Sequence, residues 1–298
     1  MCGIVGLHLR NPELYPGLGE LLTGMLCEMG NRGSDSTGVA VYGDPLLSPP
    51  GLGVVSVVDV SDDADAVASA IAGQLGGDVE VLTVDATYLV SAEVTSAVLL
   101  DAVKAAYPRA LIAGFGADMA VLKGVGHPAL LTAAWGLAKA QGWQGVGHTR
   151  MATESAVTPA GCHPYTVGPE QCMVHNGSFA NHATIRRQLR SAGIEFDSEN
   201  DTEVGARFIA KQLADGRDVE SALKELCATF DGFYTLLVSN RDSFAVVRDA
   251  IACKPAVIAE TADWVAVGSE YRALAGLPGV ENAAIWEPEP EVIYAWTR

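Results

Sequence analysis

A cysteine stands at position 2, and small and apolar residues follow it at once: Cys2-Gly3-Ile4-Val5-Gly6-Leu7. The pattern predicts a strand over 2–9, with glycines that let a ligand approach the backbone beside the thiol. A small residue at position 2 permits removal of the initiator Met. Cys2 would then carry a thiol and a free α-amine. An α-amine titrates at about 7.7–8.0 and a thiol at about 8.5. One residue therefore supplies a nucleophile and a base that takes its proton, directly or through one water. The plain alternative is a free cysteine buried in a first strand.

The chain has 298 residues, enough for one large core or two modest ones. Apolar residues make up 49% and charged residues 18%, a globular composition. A net charge of −17 argues against nucleic acid or an anionic membrane as partner. The longest apolar runs, such as Ala256-Val257-Ile258-Ala259, are too short to span a bilayer, and no secretory signal pattern precedes Cys2. None of the six cysteines forms a CxxC pair or sits at zinc spacing with histidine. Reduced thiols in a cytoplasm are the expectation, with no metal site.

Helical spacing runs from Leu18 to Met29, and a loop from Gly30 to Ser36 leads to a strand over 38–42. A proline- and glycine-rich linker follows. The block 50–140 then reads as βαβ-like: a strand over 54–60, a helix over 62–75, strands within 79–94, a helix over 95–106 and a helix over 130–141. It holds no cluster of histidines, cysteines or paired carboxylates. It reads as an inserted α/β subdomain that frames the protein or meets a partner. Helices are expected over 181–192, 202–213 and 219–230, then an antiparallel meander with strands at 234–239, 244–248, 256–259 and 264–268.

Three segments carry chemistry. In Gly147-His148-Thr149-Arg150, Arg150 offers a fork for a carboxylate, against the alternative of a surface ion pair. In His175-Asn176-Gly177-Ser178, the Asn176 amide and the Gly177 N–H can face a developing oxyanion, against an ordinary Asn-Gly turn. In Asn200-Asp201-Thr202-Glu203, Asp201 is either a helix N-cap or the anion for a substrate ammonium. Arg32, in the Gly-rich loop, is placed to close over a site or to make a structural ion pair. A thiolate, an oxyanion hole, a carboxylate fork and an ammonium anchor together describe an amino acid with a scissile side-chain amide, such as glutamine.

The chain resembles the class II (N-terminal nucleophile) glutamine amidotransferases. Met1-Cys2-Gly3-Ile4, Arg32-Gly33-x-Asp35-Ser36, Gly147-His148-Thr149-Arg150, His175-Asn176-Gly177 and Asp201-Thr202-Glu203 occur in family order, all outside the 50–140 block. The resemblance implies an α+β fold, a four-layer αββα sandwich of the N-terminal nucleophile hydrolase type, over residues 1–298, with the 50–140 subdomain inserted. It implies Cys2 as nucleophile, Asn176 and Gly177 as oxyanion hole, Arg150 and Asp201 as anchors of glutamine, and Thr153 and His163 as lining. Asn31, Ser34, Met151 and Glu154 depart from residues common in relatives and leave the closing loop less defined.

Arg150–Val157, Ile251–Val257 and Trp286-Glu287-Pro288-Glu289-Pro290 resemble the stand-alone amidotransferase subunit of glutamate-synthase-like assemblies, a group that includes the small subunit of N-methylglutamate synthase. That resemblance implies a hetero-oligomer. It implies no cofactor in this chain, and FMN and an iron–sulfur cluster in partner synthase subunits that use the ammonia. The alternatives are a silent scaffold or glutamine sensor, and an N-terminal nucleophile amidase of another substrate.

Overall fold

The computed structural model describes residues 2–152 and 157–298. Alternation of side chains along each strand builds the molecule in layers. β1 is Gly3–Leu9, α1 is Leu18–Glu28 and β2 is Ser36–Tyr42. An inserted unit comprises β3 (Gly53–Val58), α2 (Ala64–Leu75), β4 (Glu80–Val84), β5 (Thr87–Ala92), α3 (Ser96–Ala106) and β6 (Leu111–Gly116). Then come β7 (Met119–Val125), α4 (Pro128–Ala134), β8 (Gln144–Arg150), β9 (Cys172–Phe179), α5 (His182–Ser191), α6 (Asp201–Ala214) and α7 (Val219–Thr229). The chain ends in β10 (Gly232–Ser239), β11 (Ser243–Arg248), β12 (Val257–Glu260), β13 (Trp264–Gly268), β14 (Ala284–Trp286) and β15 (Tyr294–Thr297).

A seven-stranded sheet has the order β14-β12-β13-β1-β8-β2-β7, and a four-stranded sheet the order β15-β11-β10-β9. All their pairings are antiparallel. Ile4, Val146, Val174, Leu237, Phe244, Val246 and Val267 fill the seam between the two sheets. On the outer face of the large sheet, Leu22, Met25 and Leu26 of α1 and Leu131 of α4 pack on Val5, Leu7, Val39 and Leu122. On the outer face of the small sheet, Ile185, Val204, Phe208 and Leu223 of α5–α7 pack on Leu236, Val238 and Val247. The layers are therefore αββα, as the family resemblance implied.

The inserted unit makes a third sheet, β4-β5-β3-β6, antiparallel throughout. β3 and β4 run parallel with β5 between them, so the chain order β-α-β-β-α-β forms a split βαβ motif. Val67, Ile71, Leu99 and Val103 of its helices pack on Val55, Val57 and Val90. Ser56 Oγ accepts the Val121 N–H at 2.9 Å, which ties the unit to the edge strand β7 and occupies a donor that an edge exposes. Within the 50–140 block, β7 and α4 belong to the large sheet and its helix layer, not to this third sheet.

The helix expected over 130–141 breaks. Gly136 takes a left-handed conformation (φ 62°) and separates α4 from a single 3-10 turn at Leu137–Lys139. β14 and β15 were not foreseen, because three- and four-residue edge strands carry too few alternations to register.

Leu237 is fully buried in the seam against Gly6, whose missing Cβ would lie 2.5 Å from Leu237 Cδ2. Leu237→Ala is expected to lower unfolding stability by about 2–5 kcal/mol, read from urea denaturation midpoints.

Candidate active site

Period-2 alternation sets the site. In β1, Val5, Leu7 and Leu9 face α1, while Ile4 and Gly6 face the seam. One step back, the alternation puts Cys2 on the seam face. In β8, Val146 faces the seam, so His148 and Arg150 do too. In β9, Cys172 and Val174 face the seam, and so does Asn176. Gly3 pairs with Thr149 in the large sheet. Cys2, Arg150 and Asn176 thus converge on the inner faces of the two sheets.

Asn176-Gly177 is not a turn. Both residues continue β9, paired with Thr235 and Tyr234 of β10. Gly177 has φ 152°, and a Cβ there would lie 2.1 Å from the Phe233 carbonyl, so only glycine fits. Asn176 is 2% exposed, and its Nδ2 has no hydrogen-bond partner among the described residues. A buried amide left with a spare donor is costly to the fold and leaves that donor open to a ligand atom.

Arg150 is buried, not at the surface. Its carbonyl accepts the Asp35 N–H at 3.0 Å, and Asp35 Oδ2 accepts the Ala152 N–H at 2.8 Å. The Gly-rich loop is thereby stitched to the end of β8. Arg32 holds scaffold groups with two of its nitrogens: Nε donates to the Cys2 carbonyl at 2.9 Å and Nη1 bonds Glu270 Oε1 at 2.7 Å, while Nη2 is buried with no hydrogen-bond partner among the described residues. That bond holds the Glu270 carboxyl below the usual carboxylate range. Arg32 therefore makes a structural ion pair and grips the main chain of Cys2.

Asn200, not Asp201, caps α6, accepting the Thr202 N–H at 2.9 Å. Asp201 is the first helical residue, and its Oδ2 accepts the Phe179 N–H at 2.8 Å. The cap at the preceding residue leaves the Asp201 carboxylate turned to the end of β9. His163 is buried, its ring stacked 4.0 Å from that of His148 and edge-on to Tyr165. Its Nδ1 accepts the His175 N–H at 3.3 Å, so it meets β9 at the edge away from β10. Thr153 lies outside the described residues.

His148, His163 and His175 are all buried, and burial dominates their titration. Desolvation pushes His148 down to about 3 and His175 to about 4, and holds His163 well below 6.5. All are neutral at pH 7. Lys123 of β7 is buried 5.2 Å over the Tyr165 ring, and desolvation lowers it to about 8. Among the described residues no three His, Cys, Asp or Glu side chains gather to hold a metal ion, and no helix is long and apolar enough to cross a membrane.

Residues 148–276 match the glutamine amidotransferase domain family. The "Glutamine amidotransferase-like protein GlxB" of Rhizobium meliloti is 44% identical over 298 residues, covering 99% of this chain and 98% of that protein. This chain belongs to the glutamine amidotransferase family. A "putative glutamine amidotransferase" of Methanothermobacter thermautotrophicus is 28% identical, covering 91% of this chain and 92% of that protein. The fold is shared with the solved allosteric regulatory enzyme of purine biosynthesis (TM-score 0.63, 17% identity) and with glutamine phosphoribosylpyrophosphate amidotransferase from B. subtilis (TM-score 0.57, 18% identity). Each similarity covers 99% of this chain and 49% of the solved one, so this chain spans about half the length of either.

Within this amidotransferase, sequence reasoning gave no role to His148, Thr202, Lys123 or Glu270. The first two lie beside assigned residues in the motifs. Lys123 carried a signal, since it interrupts the inward apolar series Met119, Val121 on β7. Glu270 carried none.

The neutral histidines make stability depend on pH. Unfolded histidine titrates near 6.5, whereas His148 and His175 in the fold stay neutral until about 3 and 4. Between those values the unfolded chain binds more protons, so the histidines' contribution is fully present above about pH 6.5 and is lost with acidification. Each such histidine contributes about 1.4 kcal/mol per pH unit in that window. His148→Gln is expected to lose less stability than the parent between pH 7.5 and 5, compared by urea midpoints.

Proposed function

We propose that this chain is a glutaminase that supplies ammonia to a partner enzyme. Cys2, exposed by removal of Met1, attacks the side-chain amide carbon of glutamine, and its own α-amine takes the thiol proton. The Asn176 amide and the Gly177 N–H stabilise the tetrahedral oxyanion. The α-amine returns the proton to the leaving nitrogen, ammonia departs, and water cleaves the glutamyl thioester with the same amine as base. Arg150 forks the α-carboxylate and Asp201 holds the α-ammonium. His163 positions the oxyanion strand, and Arg32 fixes the main chain of Cys2.

The observation that carries this reading is the Asn176 amide. It is buried and without a partner at Nδ2 among the described residues, on the inner face opposite the head of β1. The family membership supports the substrate. In the same reading the ammonia passes to flavin-dependent subunits resembling glutamate synthase, which carry FMN and an iron–sulfur cluster, in a cytoplasmic hetero-oligomer of the N-methylglutamate synthase type. What supports this finer step is the similarity of Arg150–Val157, Ile251–Val257 and the Trp286–Pro290 tail.

The test starts from a chain whose Cys2 terminus is verified by intact mass. Glutamate release from glutamine is expected, and Cys2→Ala is expected to reduce it by more than about a thousandfold. Asp201→Asn is expected to raise KM by about 10–100-fold, the size of one charge-assisted contact. Glutamine turnover unchanged by Cys2→Ala would sink the proposal. Silence of the trimmed chain, alone and with synthase partners, would point to the scaffold.

A further inference from the structure

Thr202 is 2% exposed and follows Asp201 at the head of α6. Its hydroxyl meets three groups: His175 Nδ1 at 2.9 Å, His163 Nε2 at 3.4 Å and Asp201 Oδ1 at 3.4 Å. The direction of one bond follows from valence. The His175 main-chain N–H can only donate, so His163 Nδ1, its acceptor at 3.3 Å, carries no proton. His163 is neutral, so its proton sits on Nε2 and is donated to Thr202 Oγ1. The Thr202 proton then has Asp201 Oδ1 and His175 Nδ1 within reach.

These contacts join two parts of the site that belong to different layers. His175 immediately precedes Asn176-Gly177 on β9, and its own carbonyl is held by His148 Nε2 at 3.1 Å. Asp201 belongs to the helix layer and touches β9 through the Phe179 N–H. The rings of His148 and His163 stack, and that of His175 lies 4.4 Å from Phe179, so the network has little room to relax.

We propose that Thr202 is a positioning residue that fixes the ammonium anchor Asp201 relative to the oxyanion strand Asn176–Gly177. It sets where the side-chain amide of a bound amino acid falls with respect to Cys2. The inference rests on the glutaminase reading above. It assigns Thr202 no contact with glutamine. The hydroxyl acts through His175 and Asp201, and a misplacement of about 1 Å at such a site costs about a hundredfold in rate.

Thr202→Val keeps the shape and removes the hydroxyl, which strands His163 Nε2–H and His175 Nδ1. The expected result is a fall in kcat for glutamine of about a hundredfold. Glutamine affinity, measured by calorimetry in a Cys2→Ala background, is expected to change less than about threefold, and so is Cys2 alkylation by iodoacetamide. Thr202→Ser, which restores the hydroxyl, is expected to recover kcat to within about fivefold. A Thr202→Val chain with parental kcat, a defect confined to KM, or no rescue by serine would each overturn the inference while leaving the glutaminase reading intact. A parental chain with no turnover, alone or with its partner, would overturn both.

Discussion

The seam between the two sheets is the contact on which the rest depends. Ile4, Val146, Val174, Leu237 and Phe244 interdigitate there, and Gly6 lets Leu237 and Phe244 approach β1 closely. Because each strand alternates with period 2, this apolar seam also decides which way Cys2 ahead of β1 and the last residues of β8 and β9 face. A one-residue slip of β1 would turn Cys2 toward α1 and bury Val5 in the seam. Burial of the core therefore enforces the site's register, and the chemistry adds little to the cost of specifying it.

Above the seam the site rests on polar groups that the fold has made neutral or has tied down. Three buried histidines carry no charge at neutral pH, so they act as fixed donors and acceptors rather than as acids. Arg32 and Glu270 form the ion pair that grips the Cys2 carbonyl. The Asn176 Nδ2 is left over, a donor with no partner among the described residues. In a close-packed interior such an atom is retained at a cost to stability.

The inserted split βαβ unit has a core of its own and contributes none of the candidate site residues. Its contact with Val121 covers the outer edge of β7, where an exposed ladder of N–H and C=O groups would invite pairing with another chain. The large sheet thus gains protection on one side while its active end stays built from β1, β2, β8 and the loops that follow them.

Much of this was legible from residues alone. The motifs around Cys2, Arg150, Asn176 and Asp201 pointed to the amidotransferase family, and alternation in β1, β8 and β9 is written in their apolar positions. The βαβ pattern of the insertion was visible too, but not that β5 would slip between β3 and β4, since strand order depends on contacts far apart in the chain. The same limit explains why the sequence left a turn open at Asn176-Gly177, which pairing with Thr235 and Tyr234 keeps in a strand. It explains why Arg32 found Glu270, 238 residues away, and why Thr202 meets His163 and His175. Local sequence determined the functional groups and the faces they occupy. Tertiary packing decided their partners and their charge states, because burial and long-range contact set both.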